Sequence, residues 1–268
     1  MQDKLRWGIL GAAAIAPAVA EGIRKSSNGT VAAIASRDMA KAQRWADAHG
    51  VSRAFGSYDE LLRSGEVDVV YNPLPNSLHA EWTICALRAG LPVLCEKPFA
   101  ANAAEAREVV RVSEEMGVAV AEAFMYRFHP MYDRLFPLLR DGLIGTITCV
   151  YSTFTWFLED RSEIPASAEL AGGALMDVGC YPVNLSRIIA GCEPVRACAF
   201  QRGTDVDDTL VGLLEFPNGM LAQIECSIES HERARAEIVG TKGSIVLESP
   251  WNPGDEEEIG RASCRERV

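Results

Sequence analysis

A repeating alternation of short apolar runs and amphipathic segments occupies the first 122 residues of the chain. The apolar runs read WGIL, VAAIAS, DVVYN, PVLCE and VAVAEA, and segments such as AAEAREVVRVSEEMG lie between them. Continuous apolar runs of this length are typical of strands buried on both faces, and amphipathic segments are typical of the helices that cover them. The alternation therefore predicts a doubly wound α/β domain with a parallel sheet in residues 1–122.

The pattern changes from about residue 145. Successive strand-like runs, separated by turn signals, read GTITCVYSTFTWF, PVRACAFQRG, TLVGLLEFPNGMLAQIECSIES, RARAEIVG and GSIVLES. FPNGM is typical of a hairpin, and one helix is predicted near ALMDVGCYPVNLSRIIAG. Residues 123–258 are therefore predicted to form a second, α+β domain with an antiparallel sheet. A chain of 268 residues with 48% hydrophobic content is long enough for two cores.

The final ten residues, IGRASCRERV, carry three arginines and no apolar pattern. They also match the translation of a widely used short-read sequencing adapter, so we interpret residues 259–268 as an artefact. We expect the natural chain to continue beyond Glu258. An open antiparallel sheet without its last strands exposes apolar surface and unpaired backbone groups, so we expect the chain as written to aggregate.

Charge and composition restrict the partners. The net charge of −11 opposes binding to nucleic acid or to an anionic membrane. No apolar run reaches the roughly 20 residues of a membrane span, and MQDKLRWGIL lacks an apolar signal segment, which predicts a cytoplasmic protein. The eight cysteines include no C-x-x-C pair and lie mostly in apolar stretches. We therefore predict that the cysteines are small buried hydrophobic residues and that the protein has no metal site. The charge leaves a small molecule as the expected ligand.

The first apolar run leads directly into GAAAIAP. Gly11, Ala13 and Ala16 occupy the three small-residue positions of a dinucleotide fingerprint. The first makes the tight turn, the second lets the backbone approach a pyrophosphate, and the third packs the helix on the strand. An ordinary strand-to-helix turn is the alternative, but the position between the first strand and a helix start favours a nucleotide.

The second apolar run ends in ASRD, which bears on the choice of nucleotide. A protein that binds NAD places a carboxylate here on the ribose 2′-hydroxyl, whereas this chain has Ser36 and Arg37. A hydroxyl and a guanidinium suit a 2′-phosphate, because they supply donors and positive charge. We therefore predict NADP as the cofactor. NAD is the alternative, with Arg37 solvated and Asp38 only capping the next helix.

Two further loops follow apolar runs and should lie at the carboxyl edge of the sheet, where ligands of such folds bind. EKPFA places Glu96 and Lys97 there, and Pro98 restrains the backbone of Lys97. PNSLH offers Asn76 and His79, which we place among the cofactor-binding residues. His79 is equally suited to packing against the following helix, and direct catalysis by it is the less favoured interpretation.

Together these motifs resemble the Gfo/Idh/MocA family of oxidoreductases. The resemblance rests on WGILGAAAIA, ASRD, PNSLH, CEKPFA, EAFMYRFHP and GGALMDVGCYPVN, and covers residues 5–250 in order. It implies a Rossmann domain, then an open, mostly antiparallel sheet, and NAD(P)-dependent hydride transfer on sugars, related alcohols or diols. It implies that Lys97 contacts the reacting oxygen and that Glu96 lies near the nicotinamide ribose. It also implies a homodimer or homotetramer built through the open face of the second sheet.

The resemblance draws attention to DVGCY in the second domain. Many relatives have an aspartate followed four residues later by a histidine, whereas this chain has Asp177 and Tyr181. The tyrosine resembles the branch of glucose-fructose oxidoreductase, xylose-type aldose 1-dehydrogenases and dimeric dihydrodiol dehydrogenase. Residues four apart on a helix share one face, so both side chains can reach one substrate.

These residues support a specific chemistry. A phenol with a pKa of about 10 is a weak base at neutral pH, but the ammonium of Lys97 would lower that pKa. We predict that Tyr181 removes the hydroxyl proton and that Lys97 stabilises the developing oxyanion. Asp177 would hold a neighbouring hydroxyl. The alternative for Tyr181 is a packing aromatic on a half-buried helix.

Two questions stay open at this point. Arg127 and His129, in MYRFHP, follow the last strand of the first domain and are candidates to line the pocket, with no role assigned. A sensor or regulator that binds NADP without turnover is the alternative function, because a fold does not fix a function. The joint presence of Lys97, Asp177 and Tyr181 favours an enzyme.

Overall fold

The computed structural model describes residues 4–253 and 263–264. The chain divides into two compact units, Met1–Ala123 and Phe124–Val268. Of the segment 259–268 that we interpret as an artefact, all but residues 263–264 lie outside the described residues. Each unit has its own sheet and its own buried core.

Strands and helices alternate through the first unit. The strands are β1 (Leu5–Leu10), β2 (Gly29–Ala35), β3 (Arg53–Phe55), β4 (Val69–Asn72), β5 (Val93–Cys95) and β6 (Val120–Glu122). The helices are α1 (Ala16–Lys25), α2 (Met39–His49), α3 (Tyr58–Arg63), α4 (His79–Arg88) and α5 (Ala103–Met116). The sheet has the order β3-β2-β1-β4-β5-β6, and its strands are all parallel. The predicted doubly wound fold is confirmed.

Both faces of this sheet are covered. Adjacent residues of a strand point to opposite faces, and Ile9 and Leu10 of β1 are both fully buried. Ile9 packs in a core with Trp45 of α2, whereas Leu10 packs in a separate core with Leu87 of α4. Burial on both sides explains why the strands are continuous apolar runs in the sequence.

The second unit is built around a longer sheet. Its strands are β7 (Ile147–Phe157), β8 (Arg196–Arg202), β9 (Thr209–Glu215), β10 (Leu221–Ser227), β11 (Glu229–Gly240), β12 (Gly243–Leu247) and β13 (Ser263–Cys264). The order is β13-β12-β11-β7-β10-β9-β8, and every pair is antiparallel except β7 with β10. The predicted hairpin joins β9 to β10, where the Phe216 N–H donates to the Met220 carbonyl at 3.0 Å and Gly219 has φ of +85°. The mostly antiparallel sheet is confirmed.

Two α-helices accompany this sheet in the described residues, α6 (Pro130–Arg140) and α7 (Cys180–Ala190). The sequence predicted α7 but not α6. Pro137 lies inside α6, and a proline in a helix interior removes a backbone hydrogen bond, so the sequence argues against a helix there. Packing of the buried side chains Tyr132 and Leu135 into the core of the second unit outweighs that penalty.

One face of the second sheet is covered and the other is open. Leu210 and Leu214 of β9 are buried, whereas Val211 and Leu213 between them are exposed. The strand register places exposed Tyr151, Leu213 and Cys198 in one row across β7, β9 and β8. The prediction that the cysteines are buried therefore fails at Cys198. Of the others, Cys95 and Cys226 are buried, whereas four are half-buried, namely Cys85, Cys149, Cys180 and Cys192. Within the described part of the chain, none of the helices has the length and apolar character that a membrane span needs.

Candidate functional site

β1 ends in a glycine turn that leads into α1. Gly11 has φ of +90°, and a Cβ atom on it would lie 2.9 Å from Cδ2 of Leu74. Among the described residues, no side chain caps the N-terminus of α1, and its first turn holds no acidic residue. Ala16 is fully buried against the strand layer, and Ala13 is half-buried. A close backbone approach beside an uncapped helix N-terminus fits the pyrophosphate of a dinucleotide.

Ser36 and Arg37 follow β2 at the same edge of the sheet. Ser36 is buried, its N–H donates to the carbonyl of Phe55 at 3.1 Å, and its Oγ accepts from the N–H of Asp38 at 3.2 Å. Arg37 is exposed, and its guanidinium lies near the phenol of Tyr58. Burial raises the pKa of Tyr58, and the nearby positive charge of Arg37 opposes that rise. Tyr58 therefore helps to place the guanidinium.

Asp38 caps α2, as the alternative interpretation of ASRD expected. Its Oδ1 accepts from the N–H groups of Ala40 at 2.8 Å and Lys41 at 3.2 Å. This cap and the contact between Arg37 and Tyr58 occur together. Capping by Asp38 therefore does not compete with a ligand-binding role for Arg37.

His79 joins two loops at the carboxyl edge. Its Nδ1 lies 2.7 Å from the carbonyl oxygen of Pro98, and its Nε2 lies 2.6 Å from that of Leu74. Burial lowers the pKa of His79, and the two carbonyl groups oppose this shift. The peptide between Lys97 and Pro98 is cis. Because backbone carbonyl oxygens lie at both ring nitrogens, His79 links the loops after β4 and β5.

Asn72, the last residue of β4, supports the same loops. It is fully buried, and its Nδ2 donates to the carbonyl of His79 at 3.2 Å and to Oγ1 of Thr83 at 3.1 Å. Its Oδ1 accepts from the N–H of Leu74 at 3.3 Å. Asn76 lies further along, half-buried in a 3₁₀ turn. Sequence reasoning missed Asn72, although an asparagine that closes the apolar run DVVYN was a usable signal.

Carboxylates fix the backbone around Lys97. Glu96 accepts from the hydroxyl of Tyr71 at 2.7 Å and from the N–H of Lys97 at 3.2 Å. Two residues further on, the N–H of Phe99 donates to Oε1 of Glu122 at 2.8 Å. Lys97 is half-buried. Its side chain therefore starts from a loop that is tied down on both sides, which limits the positions that the ammonium can take.

In the second unit, Asp177 lies in a π-helical turn, Leu175–Gly179, that leads into α7. The sequence had suggested one regular helix through Asp177 and Tyr181, so the wider turn corrects that expectation. Nε1 of Trp156, on β7, donates to Oδ2 of Asp177 at 3.0 Å. Such π turns lie frequently at functional sites. The sequence contained no signal for the contact with Trp156, because the two residues lie on separate elements.

Tyr181 lies in the first turn of α7 and is only 5% exposed. Its ring packs edge-on against Phe124 and Phe154, with centroids 5.2 and 5.3 Å away. Its hydroxyl donates to Sδ of Met125 at 3.7 Å, and Met125 is 54% exposed. The packing that the alternative interpretation expected is therefore present, but the hydroxyl end points to a residue that solvent reaches.

Arg127 lies in the 3₁₀ turn Met125–Phe128 that opens the second unit, and His129 follows that turn directly before α6. Arg127 is exposed. His129 caps α6, because its Nδ1 accepts from the N–H of Met131 at 3.2 Å. Its ring therefore has a structural use. Within the described residues, no group of three His, Cys, Asp or Glu side chains is arranged to hold a metal ion.

Comparison with known proteins extends over nearly the whole chain. Residues 5–124 match the family described as "Oxidoreductase family, NAD-binding Rossmann fold", and residues 132–246 match the "GFO/IDH/MocA C-terminal domain". D-xylose 1-dehydrogenase (NADP(+)) 2 from Haloferax volcanii is 40% identical over 92% of this chain and 77% of its own length. Trans-1,2-dihydrobenzene-1,2-diol dehydrogenase from Mus musculus is 37% identical over 93% of this chain and 76% of its own.

A solved structure gives the same result. The 3-ketoreductase KijD10 from Actinomadura kijaniata, in complex with NADP and TDP-benzene, superposes with a TM-score of 0.86 at 32% identity. The match covers 94% of this chain and 78% of that chain. These relatives are named as enzymes, which supports catalysis over the non-catalytic sensor. The chain belongs to the GFO/IDH/MocA family of oxidoreductases.

Proposed function

We propose that this protein is an NADP-dependent dehydrogenase that acts on a CH–OH group of an aldose or a diol. The observation that carries the proposal is the carboxyl edge of the parallel sheet. There, the turn at Gly11, the accessible Arg37 and the fixed loop of Lys97 follow three strands of one sheet. Ligands of this fold bind at that edge. Relatives named as an NADP-linked xylose dehydrogenase and a diol dehydrogenase support the substrate class.

The cofactor would be held by backbone and by charge. Gly11, Ala13 and Ala16 form the turn and the N-terminus of α1 that would receive the pyrophosphate. Ser36 and Arg37 would hold the 2′-phosphate of NADP, with Tyr58 supporting the guanidinium. When bound, the nicotinamide supplies the acceptor for a hydride. The loops that carry Asn76, His79 and Glu96 would line its side of the site.

Three side chains would carry the catalysis. Tyr181 would take the proton of the substrate hydroxyl, and the ammonium of Lys97 would stabilise the negative charge that develops on the oxygen. Asp177, whose carboxylate is oriented by the indole of Trp156, would accept a hydrogen bond from a neighbouring hydroxyl. Aldoses and vicinal diols both carry that second hydroxyl, which is why this pair of residues suits them.

The open face of the second sheet would be the contact between copies of the chain in a homodimer or homotetramer. It carries exposed Phe200, Leu213 and Leu221, at 87%, 53% and 52% exposure. Apolar residues clustered on a sheet face mark an interaction surface. The cytoplasmic location stays a prediction from the sequence.

Absorbance of reduced nicotinamide tests the proposal. We expect turnover of D-xylose or of trans-1,2-dihydrobenzene-1,2-diol with NADP. Tyr181→Phe should lower kcat by about 100-fold and leave NADP affinity unchanged, since a positioned base contributes on that order. Tyr132→Phe is the matched control. It removes a buried hydroxyl in the same unit, which donates to the Pro250 carbonyl at 2.9 Å, and should keep full turnover. Full activity of Tyr181→Phe would show that another group is the base.

A further inference from the structure

The two proposed catalytic residues of the second unit depend on how one helical segment begins. Gly173 precedes that segment with φ of +106°, and the N–H of Asp177 donates to its carbonyl at 2.9 Å. The π turn and the first turn of α7 follow directly and carry Asp177 and Tyr181. Any shift of this start would move both side chains together.

Asp207, in the connection between β8 and β9, holds the start of this segment twice. Its backbone carbonyl accepts from the N–H of Ala174 at 2.6 Å, and its Oδ2 accepts from the N–H of Leu175 at 2.7 Å. Both N–H groups belong to the first turn, where a helix has no internal acceptors for them. The carboxylate therefore acts as an N-cap supplied by a distant part of the chain, and its charge also suits the helix dipole.

The fit between Asp207 and Gly173 is close. A Cβ atom on Gly173 would lie 2.0 Å from Oδ1 of Asp207, so any other residue there would displace the carboxylate. Burial raises the pKa of Asp207, and the hydrogen bond from Leu175 opposes the rise. The carboxylate of Asp207 therefore fits closely against Gly173, although its burial carries a cost of desolvation.

The loop that presents Asp207 is itself anchored. The next residue, Asp208, donates its N–H to the carbonyl of Arg202 at 2.8 Å and accepts from the N–H of Ile228 at 2.9 Å. Its side chain pairs with Arg161 at 2.6 Å. Asp207 therefore links the start of the helical segment to the sheet through the β8–β9 connection.

We propose that Asp207 is a positioning residue for catalysis, which sets the place of Asp177 and Tyr181 by clamping the first turn that bears them to the β8–β9 connection. This inference rests on the proposed function, since it assumes that these two residues act on substrate. Later turns of α7 are held by buried side chains such as Leu185, so loss of the clamp should loosen the first turns without unfolding the helix.

The test compares substitutions at Asp207 in the full chain, with NADP and whichever of D-xylose and the dihydrobenzene diol is turned over faster. Asp207→Ala should lower kcat by about tenfold, because small misplacements of catalytic groups are costly. Asp207→Asn keeps an oxygen acceptor for the N–H of Leu175 and should retain kcat within about twofold. NADP affinity should not change in either variant, because the proposed cofactor residues lie in the first unit. Amide hydrogen exchange of residues 174–181 should be faster in Asp207→Ala.

A second comparison covers the case in which Asp207→Ala does not fold. Asp207→Glu keeps the charge but moves the carboxylate by one methylene, so its kcat should fall well below that of Asp207→Asn. The matched control is Asp160→Ala, which removes an exposed aspartate that accepts from the N–H of Ser162 at 2.9 Å. It should keep full turnover.

The outcomes separate this inference from the proposed function. Unchanged kcat in Asp207→Ala, equal kcat in the Glu and Asn variants, or an equal loss in Asp160→Ala would each overturn the positioning role. If Tyr181→Phe is inactive while Asp207→Ala is fully active, only this inference fails. If Tyr181→Phe keeps full activity, another group is the base, and the positioning role fails with the role proposed for Tyr181. The proposed function fails only if the unmodified protein turns over neither substrate with NADP.

Discussion

The two sheets of this protein are covered in different ways. The parallel sheet of the first unit is buried on both faces, and its chemistry-bearing residues lie in loops at the ends of its strands. The mostly antiparallel sheet of the second unit is buried on one face, and its candidate residues lie on a helical segment that packs on it. In the first unit the candidate residues follow directly from the strand ends, whereas in the second unit their positions are set by the segment before α7, whose first turn is capped from the β8–β9 connection.

The largest expected effect is on the free energy of unfolding. It is tested by substitution at a buried strand position and at an exposed one. Ile34, in β2, is fully buried, and Leu213, in β9, is 53% exposed. Ile34→Ala should lower the free energy of unfolding by about 3 kcal/mol, since it leaves a cavity in a packed core. Leu213→Ala should cost less than about 0.5 kcal/mol in dilute protein. Urea unfolding at low protein concentration measures both.

Unfolding at several protein concentrations then tests whether the open face is a contact between copies of the chain. If copies of the chain associate through the open face, the cost of Leu213→Ala should rise with concentration, because the side chain is then buried in the assembly. The cost of Ile34→Ala should stay constant. A large cost for Leu213→Ala at the lowest concentrations would mean that the face is covered within the single chain.

The same contrast explains how much could be predicted from the sequence. Continuous apolar runs predicted the parallel sheet, because a strand buried on both faces has no other pattern available. Alternation and turn signals predicted the hairpin between β9 and β10. Residues that directly follow parallel strands, such as Arg37 and Lys97, could be placed at one edge, because the carboxyl ends of parallel strands meet there.

Contacts between distant segments could not be predicted in this way. The proximity of Arg37 to Tyr58, the hydrogen bond from Trp156 to Asp177, and the cap that Asp207 gives to Leu175 each join separate elements. The hydrophobic period of a segment indicates which of its faces is buried, but it does not indicate which other segment that face contacts. The π turn could not be predicted either, since its sequence is that of an ordinary helix start.

The second prediction concerns the carboxyl edge of the parallel sheet. Arg37→Ala should reduce the preference for NADP over NAD by about tenfold, because one charge-assisted contact to a phosphate contributes roughly 1.4 kcal/mol or more. Titration of both cofactors measures it. Stability should hardly change, since Arg37 is exposed. Arg44→Ala, an exposed arginine on α2, is the control and should keep the preference. Equal affinities for the two cofactors in the unmodified protein would refute a phosphate site at Arg37.

The smallest effect is expected at the opposite, amino end of the same sheet. Arg6, in β1, donates to Asp68, just before β4, with nitrogen to oxygen distances of 2.7 and 3.1 Å. These hydrogen bonds hold the pKa of Asp68 below its ordinary value of 3.8. A lowered carboxyl pKa contributes stability above the unfolded pKa, and that contribution is lost as the pH falls through the folded pKa.

Asp68→Asn should therefore lose less stability than the unmodified protein on acidification from about pH 6 to about pH 3, measured as the fall in melting temperature. The difference should be small, because both partners are more than a third exposed and water screens the pair. Arg6→Gln should reproduce it, and the double variant should add nothing, since both changes remove one interaction. NADP affinity should stay the same in all three, because cofactor binding belongs to the carboxyl edge. A loss of NADP affinity in Asp68→Asn would show that the two ends of this sheet are not independent.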